Sequence, residues 1–195
     1  MLDSLYDWLA CSDSVDRADL IFALAGRESR KAYALELFSQ GKGKEVLVSV
    51  GRYEMRRFAA LSWPASLDLV QLVAALPPPQ RHLFVHHADG RSETHFVRRG
   101  RFGTWSEIRA LAIWLQARPD VVSLLIVSSA AHLRRVRLCC EAMLPRSVRF
   151  RLSSVNADGP YLTRDRWWHN SETRDIVVFE LPKLLLYWVL LRFRS

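Results

Sequence analysis

The segment from Ala18 to Gly51 limits the fold more than any other part of the chain. "ADLIFALAG" (Ala18–Gly26) is an unbroken apolar run that closes on glycine, and "EVLVSVG" (Glu45–Gly51) is a second. Short continuous apolar runs describe strands covered on both faces, and such strands belong to parallel sheets. Between them, "RESRKAYALELFSQGKG" places Ala32, Leu35 and Phe38 at helical spacing and stops at Gly41. A strand, a helix and a strand this close together predict two parallel strands joined by a right-handed crossover.

The remainder extends the alternation. "YEMRRFAALSWPASLDLVQLVAALPPPQ" predicts mostly helix, broken at Pro64 and ended by Pro77 to Pro79. "HLFVHHADGRSETHFVRR" predicts two strands around an Asp89-Gly90 turn. "TWSEIRALAIWLQARPD" opens with Thr104 and Glu107 spaced as a capping box. "VSLLIVSSAAHLRRVRL" (Val122–Leu138) predicts a buried strand and then a helix, with Ser129 placed to cap and Leu133, Val136 and Cys140 on one face. "SVRFRLSSV" predicts an outer strand, a loop runs from Asn156 to Arg166, and a helix over about 171–193 ends the chain. The expectation is one α/β domain over 1–195, with a short N-terminal extension over 1–17. Its sheet is doubly wound, mostly parallel and flanked by helices, with the hairpin inserted. A length of 195 residues suits a single core.

Charge and hydropathy narrow the partners. A formal charge of +8 suits a polyanion, but arginine dominates and is scattered through the predicted helices. No basic stripe gathers, so nucleic acid is not the expected partner. Cys11, Cys139 and Cys140 are odd in number and lack CxxC spacing, which predicts reduced, structural thiols. "MLDSLYDWLACSDSVD" has no basic leading region and carries acids among its apolar residues, so it does not read as a signal peptide. In "IVVFELPKLLLYWVLLRF" the uninterrupted apolar run is only Leu184–Leu191, well short of the ~20 residues of a bilayer span. The expectation is therefore a cytoplasmic chain with no transmembrane segment. Its C-terminal helix packs on its own domain, or makes it membrane-peripheral or docks a protein partner.

In doubly wound sheets ligands sit at the carboxyl ends of the strands. Gly26 and Arg30 follow the first strand, Ser49, Gly51 and Glu54 the second, and Ser128, Ser129, His132 and Arg135 a later one. Free amides of a helix's first turn attract anions. Arg135, one turn beyond His132, and Arg30 could clamp a phosphate or carboxylate. Close to a helix N-terminus His132 tends to be neutral, suited to accepting a hydrogen bond or to general acid–base work. No Walker loop, GxGxxG or nucleophile elbow is present, and no buried acid can be nominated to orient His132 toward Ser128 or Ser129. His86, His87, Asp89 and His95 invite a metal reading. Adjacent strand residues point to opposite faces, however, so His86 and His87 cannot share an ion. His95 could oppose one of them across the hairpin, leaving too few ligands, and no metal is expected. The tryptophans Trp63, Trp105, Trp114, Trp167, Trp168 and Trp188 are expected to pack in the core.

Three stretches carry a resemblance: "DLIFALAGRESRKAYALELFSQGKGKEVLVSVG", "LLIVSSAAHLRRV" and "RWWHNSETRDIVVFELPKLLLYW". Together they resemble the YdcF/SanA/ElyC-like family of bacterial proteins. Its S-x-x-H-x-x-R element falls on Ser129, His132 and Arg135, with Ser128 preceding. Its closing Trp and Glu-Lys-Tyr segment falls on Trp167, Trp168, Glu180, Lys183 and Tyr187. The resemblance implies a Rossmann-like fold, a small-molecule site that includes Thr104, and a link to the bacterial cell envelope. Two places depart from the pattern. "RRGRFGTWSEIRA" keeps Thr104 but shifts the acid to Glu107, and the glycine-rich loop after the first strand is shortened to "AGRESR". The combined expectation is a site for a small anionic, nucleotide- or phosphate-bearing ligand, with a nucleotide-like or S-adenosyl-type molecule as candidate cofactor. His132 would be its acid–base group, and transfer or hydrolysis its chemistry. The alternative is a non-catalytic, envelope-associated accessory protein with a degenerate pocket.

Overall fold

The computed structural model describes residues 2–51, 54, 61–64, 77, 82–97, 103–155, 164 and 166–193. Helix α1 (Leu2–Leu9) leads into β1 (Ala18–Ala23), α2 (Glu28–Ser39) and β2 (Gly43–Val50). The hairpin β3 (Leu83–Ala88) and β4 (Arg91–Phe96) follows, then α3 (Gly103–Gln116) and β5 (Ser123–Ser128). A 3₁₀ turn (Ala130–His132) opens into α4 (Leu133–Met143), and β6 (Arg149–Ser154) and α5 (Ser171–Arg192) complete the chain. The helix expected between Tyr53 and Gln80, with its break at Pro64 and stop at Pro77 to Pro79, lies mostly outside the described residues, as does most of the loop from Asn156 to Arg166.

The six strands form one sheet in the order β4-β3-β2-β1-β5-β6. Strands β2, β1, β5 and β6 are parallel, and the hairpin adds two antiparallel strands at one edge. The apolar runs are covered on both sides, as continuous patterning requires. Leu20, Phe22, Leu47, Leu124 and Ile126 face Ile108 and Leu111 of α3 and Leu133, Val136 and Cys140 of α4. Ile21, Ala23, Val46, Val48, Leu125 and Val127 face Ala34, Leu35 and Leu37 of α2. This is a doubly wound, Rossmann-like α/β arrangement.

Several local expectations are corrected. The 1–17 extension contains α1, whose Tyr6 and Leu9 are buried beside Ala131, Trp167 and Val177. On α2, Ala32 faces solvent; the covered side runs through Lys31, Ala34 and Leu35. Helix α5 buries one stripe, Thr173, Val177, Glu180 and Tyr187, spaced four, three and seven apart as one helical face demands. Its other faces leave Phe179, Leu185 and Trp188 exposed, so Trp188 is not a core residue. The helix starts at the Asn170 cap, whose side chain accepts from Thr173 N at 3.0 Å. Among the described residues no helix is long and apolar enough to cross a membrane. All the cysteines are free, and burial pushes the Cys139 thiol up to about 12.

Candidate functional site

The connections after β1 and β5 leave on opposite faces of the sheet, α2 on one side and α4 on the other. These neighbouring strands therefore flank the point where the winding reverses, the usual crevice of such folds. Gly26 stands at its lip with φ +131°, a conformation that favours glycine. A Cβ there would lie 2.7 Å from an Arg30 guanidinium nitrogen. The open space lets Arg30 fold back over the turn, donating to Ala25 O at 2.6 Å and through Nε to Ser129 Oγ at 3.0 Å. One buried arginine thus ties the end of β1 to the end of β5.

Glu54 fastens the same turn from the other side. Its carboxylate accepts from Gly26 N at 2.7 Å and meets Lys31 Nζ at 2.5 Å. Glu54 is thereby committed to a backbone amide and a buried lysine. Ser49 is fully buried and hydrogen-bonds His82 Nε2 at 2.8 Å. The nearest acid, Glu107, lies 3.9 Å from that same ring nitrogen. A Ser-His-acid relay needs serine and acid on different nitrogens, so this trio does not form one.

The centre of the site is the S-x-x-H-x-x-R element. Arg135 is buried and grips the buried Glu180 with Nε at 2.9 Å and a second nitrogen at 3.2 Å. Its remaining donors reach Thr104 Oγ1 at 2.5 Å and His132 Nδ1 at 2.6 Å. The guanidinium also lies over the Tyr187 ring, 5.2 Å from its centroid. Arg135 is therefore committed within the protein and does not reach out as a clamp. Ser129 makes no capping bond, and Thr104 with Glu107 forms no capping box: Thr104 receives Arg135, and Glu107 accepts from Ala25 N at 2.8 Å.

Arginine can only donate, so His132 Nδ1 must accept, and the proton of the neutral ring sits on Nε2. Burial, with the positive charges of Arg30, Arg135 and Lys183, holds the His132 pKa down to about 3 against the opposing pull of Glu180. At neutral pH the ring offers an N–H donor rather than a free base. Burial opposes the charge on Glu180, yet its surroundings outweigh that and keep the carboxyl below its ordinary value. Because His132 is neutral, Arg135 and Lys183, the latter 3.1 Å away, carry that compensation. Arg30, Arg135 and Lys183 thus oppose a charge on His132 while Glu180 favours it.

His132, Ser129, Arg27 and Arg30 line a cavity closed by Tyr6 of α1 and Val177 of α5, with a volume of about 40 Å³. That is room for about one water. Ser128 Oγ is buried and finds no hydrogen-bond partner among the described residues. The structure thus gathers Gly26, Arg30, Glu54, Ser128, Ser129, His132, Arg135 and Thr104 at one end of the sheet. Ser49 is turned into the core, and Gly51 closes on Glu54, whose carboxylate a Cβ would meet at 2.8 Å.

Sequence reasoning missed His82 and Lys31 and gave Glu107 a capping role; all three are buried polar groups whose partners lie on other elements. Comparisons of the chain with family models, with curated proteins and with solved structures return no match.

Proposed function

We propose that the chain binds a small anionic ligand, nucleotide- or phosphate-bearing, in the crevice between the carboxyl ends of β1 and β5. The observation that carries this reading is that His132, Ser129 and Arg30 line one cavity at the strand ends, with the His132 Nε2–H left as a donor. A ligand phosphate there would accept from His132 Nε2–H and from the Arg30 side of the crevice. The unpartnered Ser128 hydroxyl and the resemblance to YdcF-like proteins support the same location. An enzymatic extension, transfer or hydrolysis at a phosphate ester, would use the His132 Nε2–H as a hydrogen-bond donor to the charge developing on a leaving oxygen. Cavity size requires α1 or the start of α5 to yield before anything larger than a water enters.

A specific observation favours a second reading. The Arg135 donors are satisfied internally, while α5 exposes Phe179, Leu185 and Trp188. An accessory protein at the cell envelope, cytoplasmic and membrane-peripheral, would retain such a network for structure and dock through α5. A thermal-shift screen of wild type and His132→Ala against phosphate, nucleotides, sugar phosphates and S-adenosyl compounds separates the two. A ligand at a hundred times its Kd adds about 2.7 kcal/mol, about 5–11 °C at this size. A shift in the wild type that disappears in His132→Ala supports ligand binding. No shift with any compound, both proteins being folded, overturns it in favour of the accessory reading.

A further inference from the structure

The hairpin carries a cluster that the crevice does not use. Asp89 and Gly90 form its two-residue turn, so His86 pairs with Glu93 and Phe84 with His95. Side chains alternate along a strand, so His86, Glu93 and His95 project from one face, while His87 goes to the other. His87 accordingly packs on Phe38 of α2 and hydrogen-bonds Ser92. On the shared face, one ligating atom from each of His86, Glu93 and His95 lies within 4.8 Å of the others.

We propose that His86, Glu93 and His95 form a binding site for a divalent transition ion of the zinc class. Two imidazoles and one carboxylate are a donor set that zinc accepts, and an open fourth position is left for water or a small ligand. Tetrahedral donors at about 2.0–2.1 Å from zinc stand about 3.3 Å apart. Closing from within 4.8 Å needs only modest side-chain movement. Glu93 is exposed and can supply it. Glu93 Oε2 already stands 3.9 Å from His95 Nε2, a buried atom with no hydrogen-bond partner among the described residues.

The surroundings match what a metal-binding histidine needs. His86 Nε2 donates to Glu45 Oε2 at 2.8 Å, which leaves Nδ1 as its ligating atom and orients the ring. Glu45 is itself held by Arg118 at 2.7 Å, and Arg118 is also paired with Asp120, so its charge is compensated. Trp114 of α3 packs edge-on against His86 and His95, with centroids at 5.2 and 6.3 Å. The cleft between hairpin and α3 has a volume of about 760 Å³ and leaves the fourth position accessible. The cluster lies on the hairpin at one edge of the sheet, and β2 separates it from the β1 and β5 ends that form the crevice.

The test is a titration of tag-free, chelator-treated protein with zinc chloride by calorimetry, repeated with cobalt(II) for its visible absorption. Wild type should bind one equivalent and show a tetrahedral cobalt spectrum. The double variant Glu93→Gln/His95→Gln alters exposed or half-exposed edge residues, and should weaken binding by at least about a hundredfold. Glu45→Gln should weaken it roughly tenfold by releasing the His86 ring. His87→Gln and His132→Gln should bind as wild type does. Absence of a stoichiometric site in wild type, or undiminished affinity in a folded double variant, overturns the proposal.

Discussion

Acidification should destabilise this protein through His132 over a defined pH interval. The unfolded ring titrates near the ordinary 6.5, whereas burial and the charges of Arg30, Arg135 and Lys183 hold the folded ring to about 3. A folded pKa below the unfolded one means that the unfolded chain takes up the proton first. The contribution is therefore fully present above pH 6.5 and is lost as pH falls toward 3, at up to about 1.4 kcal/mol per pH unit. Between pH 7.5 and pH 5 the loss comes to about 2 kcal/mol, or about 4–8 °C in midpoint for a chain of this size. The interval stays above the ordinary 4.5 of Glu180, so the carboxylate remains charged throughout and does not add to the change.

The assay is denaturant unfolding at fixed pH of wild type against His132→Gln. The glutamine amide can still accept from Arg135 but does not titrate. His87 and His95 also have lowered values and contribute to both curves, so the difference isolates His132. Wild type should lose about 2 kcal/mol more than the variant between pH 7.5 and pH 5. Parallel stability profiles would refute the buried, neutral ring, as would an imidazole signal for His132 titrating near 6.5.

Substitutions at Arg135, Glu180 and Gly26 probe the scaffold around it. Arg135→Met leaves Glu180 buried without its fork and should cost about 3–5 kcal/mol by chemical unfolding; Glu180→Leu added to it should recover most of the loss, whereas Arg135→Lys should not, because an ammonium cannot span both carboxylate oxygens. Gly26→Ala meets both a φ of +131° and the Arg30 guanidinium at 2.7 Å, and should cost about 1–3 kcal/mol; a neutral result would mean that Arg30 moves aside freely and does not pin β1 to β5.

Much of the fold was legible because its signals are local. Apolar runs closed by Gly26 and Gly51 and a helical repeat between them define a β-α-β unit through residues adjacent in sequence. Even the missed helix α1 carried its signal, since Leu2, Leu5 and Leu9 repeat at helical spacing in "LDSLYDWLA". The polar connections of the crevice were not legible in the same way. Glu107 stands where a capping box would want it, yet it binds Ala25 N, a residue 82 positions away. Arg135 was expected to face a ligand, and its partner is Glu180, 45 positions on, brought there by the docking of α5 on α4. A charge's partner depends on how helices pack, which no repeat in the sequence encodes.

The hairpin stands between these cases. Its turn is two residues long, so any pair across it sums to the same number: Ala88 with Arg91, His86 with Glu93, Phe84 with His95. Given the Asp89-Gly90 turn, that arithmetic places Glu93 beside His86 without knowledge of tertiary structure. Counting histidines alone misses it, because the third ligand is a glutamate whose relevance comes only from register. The two sites therefore differ in what supports them. The crevice depends on long-range ion pairs, so Arg135→Met should disturb Glu180, Thr104 and His132 together. The hairpin site depends mainly on a ladder between adjacent strands, so it should bind zinc even in variants whose crevice network is broken, provided that the sheet still folds.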